Sequence, residues 1–279
     1  MTPFLALLRK QIHEARWTLG LSAAVLFGLG WLFVWVTSLN ETEIVRRLGD
    51  DSEQGRIQML RIMGVTEDPS SLSLIMASWS HPFIFLLISI WAIGRGSAAV
   101  AADVERGTMD LILSRPVPRW VYLTSYVLVA AAGLAILALA LLAGTSIAVR
   151  YNVLREPPTL WALLPPAVNL AALGLPIYGY TLLASSLDHV RWRPTTIGSV
   201  LTMAGVIAFI ASLVPQLQQM SWKPWLDRLS IFKAYYNPVE LVTKGETLGF
   251  NLAILGGIGL ACIAVAFLAF AVRDLPANG

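Results

Sequence analysis

ADVERGTMDLILSRPVPRW, residues Ala102–Trp120, sets six charged residues, a glycine and two prolines between two long apolar runs. The chain around it has 279 residues, 56% of them hydrophobic and 13% charged, and its mean hydropathy is +0.67. Soluble domains carry about 25% charged residues. This composition is that of an integral membrane protein, one bundle of helices and not two soluble domains. The quoted stretch reads as a helical elbow. The run before it ends in the small residues Ala98 to Ala102, and its helix can continue into water through Asp103, Val104 and Glu105. Gly107 permits a turn. Thr108 can cap a new short helix by accepting a backbone N–H, with Met109, Ile112 and Leu113 as its apolar face. Pro116 and Pro118 end it, and Trp120 anchors the next span at the interface. An apolar face rimmed by acids and arginines suits docking into a groove on a partner. An ordinary charged loop is the plainer reading of the same residues.

Outward from the elbow, a membrane helix needs about 20 mainly apolar residues. Six segments qualify: 17–39, 82–102, 120–149, 161–187, 195–214 and 252–272. The third and fourth exceed what one bilayer needs and tilt or project into water. Trp17, Trp35, Trp91, Trp120 and Trp161 fall near span ends, where amphipathic rings favour the interface. Pro176 predicts a kink in the fourth span. The leading segment 1–16 puts Leu5, Leu8, Ile12 and Ala15 on one helical face and Arg9, Lys10, His13 and Arg16 toward the other. It reads as a helix lying in the membrane surface, with no cleavable signal peptide evident.

Six spans bring both termini to one side. Segments 1–16, 103–119, 188–194 and 273–279, with Arg95, hold ten Lys/Arg; the opposite segments 40–81, 150–160 and 215–251 also hold ten, over nearly twice the length. The denser positive charge assigns the termini and the elbow to the cytoplasm. Segment 40–81 is polar and reads as an external loop with some helix. In SWKPWLDRLSIFKAYYNP, residues 221–238, Trp222, Trp225, Leu226, Leu229 and Phe232 recur at helical spacing until Asn237–Pro238 breaks the pattern. We read two short amphipathic helices at the outer interface before the last span. Trp222, Trp225, Phe232, Tyr235 and Tyr236 are its candidate pathway or interface residues, together with Arg95.

No GxxxxGK[ST] or HExxH pattern occurs, and His13, His81 and His189 lie in three separate segments. The chain therefore offers neither a phosphate-cradling loop nor a catalytic or metal constellation. A membrane-embedded enzyme would need convergent polar groups at one depth, and the spans show none. The lone Cys262 reads as packing, and so do small residues such as Gly133, Gly144 and Ser146 in the third span. The net charge of +3 is spread through the loops, which argues against a nucleic-acid surface. Arg95 is the one ionisable side chain well inside a span. It lies about two turns from the cytoplasmic end, so snorkelling to the interface is its plainer reading. With no Asp, Glu or His in the spans, uphill transport would draw its energy from elsewhere. The apolar pathway points to a lipophilic or amphipathic cargo and argues against a small inorganic ion.

DVERGTMDLILSRPVPRWVYLTSYVL, residues 103–128, resembles the loop after the second span of ABC-2 type permeases, the membrane subunits of bacterial ABC exporters. The shared pattern is an acid, Glu-x-Gly-Thr, a short Leu/Ile run, Arg-Pro-x-x-Arg and a hydrophobic span. The amphipathic start, the six spans, SIFKAYYNPVELVTKGETL before the last span and the terminal AVRDL fit as well. The resemblance implies an all-α, multi-pass permease in the bacterial cytoplasmic membrane. It would dimerise with itself or a paralogous permease and pair with two copies of a separate ATPase subunit. ATP and Mg would bind that ATPase, so this chain needs no cofactor and performs no catalysis. Segment 103–119 becomes the cytoplasmic coupling helix between spans two and three. Its role falls on Glu105, Gly107, Thr108, Leu111, Leu113, Arg115, Pro116 and Arg119, and the apolar face adds Ile112. One departure is the external loop 40–81, longer and more polar than in the simplest members. The alternative is a non-transporting membrane module, for sensing or assembly, coupled to an ATPase.

Overall fold

A computed structural model describes residues 3–50, 70–109, 117–154, 156–212, 214, 230–244 and 247–273. All regular structure among them is α-helical. Helix α1 (Pro3–Asp50) is followed by α2 (Ser71–Ser78), α3 (Pro82–Ala98) and the short α4 (Ala101–Glu105). Then come α5 (Arg119–Tyr151), α6 (Leu160–Leu187), α7 (Trp192–Ser212), the short α8 (Ile231–Ala234) and α9 (Pro238–Lys244), and α10 (Leu248–Val272). Five of the described helices are long and apolar enough to cross a membrane: α1 over Phe4–Leu39, α5, α6, α7 and α10. A sixth crossing exists if α2 and α3, bent by 44° at a short break, form one broken span.

The first expected boundary is absent. Segment 1–16 and span 17–39 are one helix, which runs on past Leu39 to Asp50. No glycine or proline interrupts the chain between Pro3 and Gly20, so nothing forces a turn at Arg16. At 1.5 Å per residue its 48 residues reach about 72 Å, well beyond the hydrocarbon core. Gln11 and Ala15 face the bundle, whereas Leu5 and Ile12 point outward, so the expected apolar face is divided.

Segment 71–81, read as part of a polar external loop, is instead a buried apolar helix and its turn. Ser70 caps α2 by accepting from the Ser73 N–H at 3.2 Å, and Leu74, Ile75 and Met76 are buried. His81 caps α3, whose first residue, Pro82, needs no N–H partner. The second expected span, 82–102, breaks at Ala99–Val100 before α4 begins.

Helix α6 is the hub of the bundle, packed against α3, α5, α7 and α10, while α1 lies along α5. It continues as helix through Pro176. Close approach depends on glycine at the crossings. A Cβ on Gly144 of α5 would stand 2.1 Å from the Phe27 carbonyl oxygen of α1, and one on Gly259 of α10 would meet the α6 backbone at Leu175 at 2.9 Å. Trp91 is not at an interface. It is buried, its ring lies where a Cβ on Gly133 would be, and its Nε1 donates to the Ala130 carbonyl at 3.0 Å. Trp120 and Trp161 are exposed at the starts of α5 and α6, whereas Trp17 is exposed within the body of α1.

Candidate functional site

The elbow is built around Asp103, an acid with no exposed surface at the junction of α3, α4 and α5. Tyr122 and Tyr126 stand four residues apart on one face of α5. Their hydroxyls donate to Asp103 Oδ2 at 2.7 and 3.0 Å. Oδ1 accepts from Arg106 Nη2 at 2.7 Å and from the Thr108 hydroxyl at 3.0 Å, and Lys10 Nζ of α1 lies 3.5 Å away. Burial raises the pKa of the Asp103 carboxyl. The Tyr122 hydroxyl, the Lys10 charge and the hydroxyls of Thr108 and Tyr126 outweigh it and hold the group below its ordinary value. Burial lowers the Arg106 pKa, but the Asp103 charge and hydrogen bond beside it carry it above the usual guanidinium value.

The chain break between α3 and α4 leaves open backbone groups, and one hydroxyl from α6 closes them. Ser185 Oγ accepts from the N–H groups of Val100 and Ala101 at 3.2 and 3.0 Å, and donates to the Ser97 carbonyl at 3.1 Å. The base of the elbow is thus held by α1 through Lys10, by α5 through two tyrosines and by α6 through Ser185.

Of the residues singled out in the sequence, Glu105 reaches sideways. Its Oε2 accepts from the Arg191 backbone N–H at 2.8 Å, at the start of α7. A groove of about 550 Å³ opens there, lined by Ala102, Glu105, Arg106, Arg191, Trp192 and Thr195 among others. Gly107 makes the expected turn with φ 66°, a left-handed conformation that side chains with a Cβ disfavour. The Thr108 hydroxyl donates back to the Asp103 carbonyl and carboxylate; the N–H groups it was expected to cap, those of residues 110 and 111, lie outside the described residues. Met109, expected on a free docking face, is buried at 2% exposure in the chain's own core. Arg119 closes the elbow by donating from Nη1 to the carbonyls of Phe270, Ala271 and Arg273 at the end of α10. Leu111, Ile112, Leu113, Arg115 and Pro116 lie outside the described residues.

Arg95 does not snorkel. It is 8% exposed, its Nη2 donates to Gln11 Oε1 of α1 at 3.3 Å, and its guanidinium faces the rings of Tyr126 and Trp91 at 5.5 and 6.0 Å. Gln11 in turn donates to Ser125 Oγ at 2.6 Å. At the opposite end, Phe232 and Tyr236 are buried against Phe85 of α3 at 5.0 and 5.5 Å, not displayed at an interface. The Tyr236 hydroxyl donates to the Trp79 carbonyl at 3.3 Å. The Tyr235 carbonyl accepts from Asn169 of α6 at 3.0 Å. The chain breaks between α8 and α9 at Tyr235–Asn237, ahead of Pro238, where the sequence placed it. Trp222 and Trp225 lie outside the described residues.

Sequence reasoning missed Asp103, Ser185, Gln11 and Lys10. The signal for Asp103 was the Tyr122/Tyr126 pair at helical spacing in an otherwise apolar span. Ser185 carried none beyond being a serine near a span end.

Compared with known protein families, residues 9–275 match the family described as ABC-2 family transporter protein. A comparison with curated proteins gave no match.

Proposed function

The chain belongs to the ABC-2 family of transporter proteins, and from that premise we propose that it is the permease subunit of an ATP-driven exporter. In this reading two permeases form the translocation pathway, and two copies of a separate ATPase, which holds ATP and Mg, dock on the elbow. The elbow and both termini face the cytoplasm of a bacterial cell. This chain supplies no catalytic group and no cofactor.

The observation that best supports this reading is the hold on Asp103. A push on the elbow is transmitted to α1 through Lys10, to α5 through Tyr122 and Tyr126, and to α6 through Ser185 and the α3–α4 break. Buried, fully bonded polar junctions are stiff. Closure of the ATPase dimer against the elbow would therefore move several helices as a unit and need not be absorbed in a loop.

The test is co-purification with a co-expressed ABC ATPase subunit, with ATP turnover measured in the presence and absence of this chain. A buried Leu or Ile is worth roughly 1.5–3 kcal/mol, so Ile112→Asp combined with Leu113→Asp is expected to detach the ATPase while the protein still inserts. Unchanged association and turnover would show that the partner docks elsewhere. Cysteines at Ser114 and Ser221, in a Cys262→Ala background, are expected to react with impermeant thiol reagents from opposite sides of the membrane. A transport assay separates an exporter from a sensing or assembly module.

A further inference from the structure

We propose that Arg95, with Tyr178 beside it, is a receptor for an oxyanion, a phosphate or carboxylate, borne as the headgroup of an amphiphile. Arg95 is buried inside α3, yet among the described residues no carboxylate lies within ion-pair distance of it. Asp103, the buried acid at this end of the bundle, is already engaged by Arg106, Lys10, Thr108 and two tyrosines. Among the described residues the guanidinium makes one long hydrogen bond, to Gln11, and its Nε has no acceptor. A guanidinium cannot shed its proton, and a buried charge without a counter-charge is strongly disfavoured. Such a group within a membrane bundle marks a place where an anion completes the structure.

Tyr178 of α6 is a second, independent sign. Its hydroxyl is buried and has no hydrogen-bond partner among the described residues, although buried hydroxyls almost always find one. It lies within the field of the Arg95 charge. The α3–α6 crossing lies close to both: a Cβ on Gly96, next to Arg95, would stand 2.9 Å from Thr181, one turn from Tyr178. The unpaired groups are both N–H or O–H donors, the complement of an oxyanion. Gln11 is the replaceable neighbour. Its carbonyl oxygen accepts weakly from Arg95, and its amide remains tied to Ser125. The surrounding rings of Trp91 and Tyr126 and the apolar spans suit a molecule whose remainder is apolar. That this amphiphile is cargo rests on the permease reading; that it binds does not.

The test uses the full chain purified in a non-ionic detergent, with no ATPase and no ATP, and follows thermal unfolding. The probes are dihexanoyl phosphatidylglycerol, the phosphate-free lipid dihexanoylglycerol and sodium phosphate. Ligands that bind the folded state raise its unfolding temperature. The anionic lipid is expected to stabilise the wild type, and the phosphate-free lipid and free phosphate are not. Arg95→Gln is expected to weaken the half-saturating concentration by roughly tenfold or more, the scale of a charge-assisted hydrogen bond. Tyr178→Phe should weaken it several-fold while leaving ligand-free stability unchanged or raised, because it removes a hydroxyl with nothing to bond. A structural hydroxyl would give the opposite sign. If Arg95→Gln does not fold, Tyr178→Phe carries the test alone. Equal stabilisation by both lipids, or a Tyr178→Phe protein that loses stability and keeps its affinity, would overturn the proposal. A full response to inorganic phosphate would overturn the assignment to an amphiphile. Failure here leaves the ATPase-docking test unaffected, so the two readings can fall separately.

Discussion

Arg119 and Phe270 are joined twice, by a hydrogen bond from Nη1 to the Phe270 carbonyl at 2.9 Å and by the guanidinium lying 5.7 Å from the centre of the Phe270 ring. The same nitrogen reaches the carbonyls of Ala271 and Arg273 at 3.1 and 2.8 Å. These are open acceptors at the negative end of α10, where a cation is favoured. Arg273 repeats the device on α6, donating to the carbonyls of Ser186 and Asp188 at 2.8 and 3.0 Å. Burial draws the Arg273 pKa down, partly offset by Asp188. The first turn of α5 thus holds the end of α10, and the residue after α10 holds the end of α6.

Arg119→Ala is therefore expected to destabilise the folded permease by about 1–2 kcal/mol, the scale of a charge-assisted hydrogen bond lost from a helix end. Arg119→Lys should recover part of this, because an ammonium supplies the charge without the planar fork. Thermal unfolding in detergent measures it. Equal stability of all three proteins would show that the cap carries no weight.

Asp103 gives a pH dependence with a definite sign. Its pKa in the folded protein lies below its ordinary value, so the carboxylate's contribution is fully present above the unfolded pKa of about 3.9. It is lost as pH falls through the lower, folded value. The stability gap between wild type and Asp103→Asn should accordingly be constant from pH 7 to about pH 5 and close below about pH 4. At neutral pH the gap is expected to be about 1–3 kcal/mol, the cost of weakening a buried hydrogen-bonded acceptor. A gap that widened on acidification would contradict this arrangement.

The turn of the elbow was legible because it is chemically marked. Gly107 is the glycine between two helical stretches, and it holds the single positive φ among the described residues. Pro82 and Asn237–Pro238 marked breaks for the same reason, that proline cannot serve as an interior helix donor. The helix lengths of α5, α6 and α10 followed from hydrophobic runs alone. The continuity of α1 did not, because a charged helix in water and an apolar one in lipid use the same backbone, and composition changes at Arg16 without any breaker. Asp103 and Arg95 were illegible for a different reason. Whether a charge near a span end faces water or protein depends on neighbours far along the chain, here Tyr122 for the acid and Gln11 for the arginine.

Gly107 invites a graded series. Its N–H donates to the Val104 carbonyl at 3.0 Å while its φ is 66°. Gly107→Asn should be mild, because asparagine tolerates the left-handed region. Gly107→Ala should cost about 1–2 kcal/mol. Gly107→Pro should be worst, since proline removes the donor and fixes φ near −65°. The order of unfolding temperatures checks the geometry, and the order of ATPase stimulation checks whether the turn matters to the partner. A proline variant as stable as the wild type would mean that the turn is not formed as described.

Glu105 separates docking from coupling. Its carboxylate is the described side-chain link from the elbow to the start of α7, through the Arg191 N–H at 2.8 Å. The bond is exposed, so its loss should change stability by less than about 1 kcal/mol. Glu105→Ala should leave insertion and fold intact. If the elbow drives α7 through this contact, the variant should still bind the ATPase yet stimulate its turnover less than the wild type does. Glu105→Gln, which retains an acceptor oxygen at the same reach, should fall between the two. Loss of binding in step with loss of stimulation would place Glu105 on the docking surface instead. Wild-type behaviour in both assays would leave α7 moved by its packing against α3, α6 and α8.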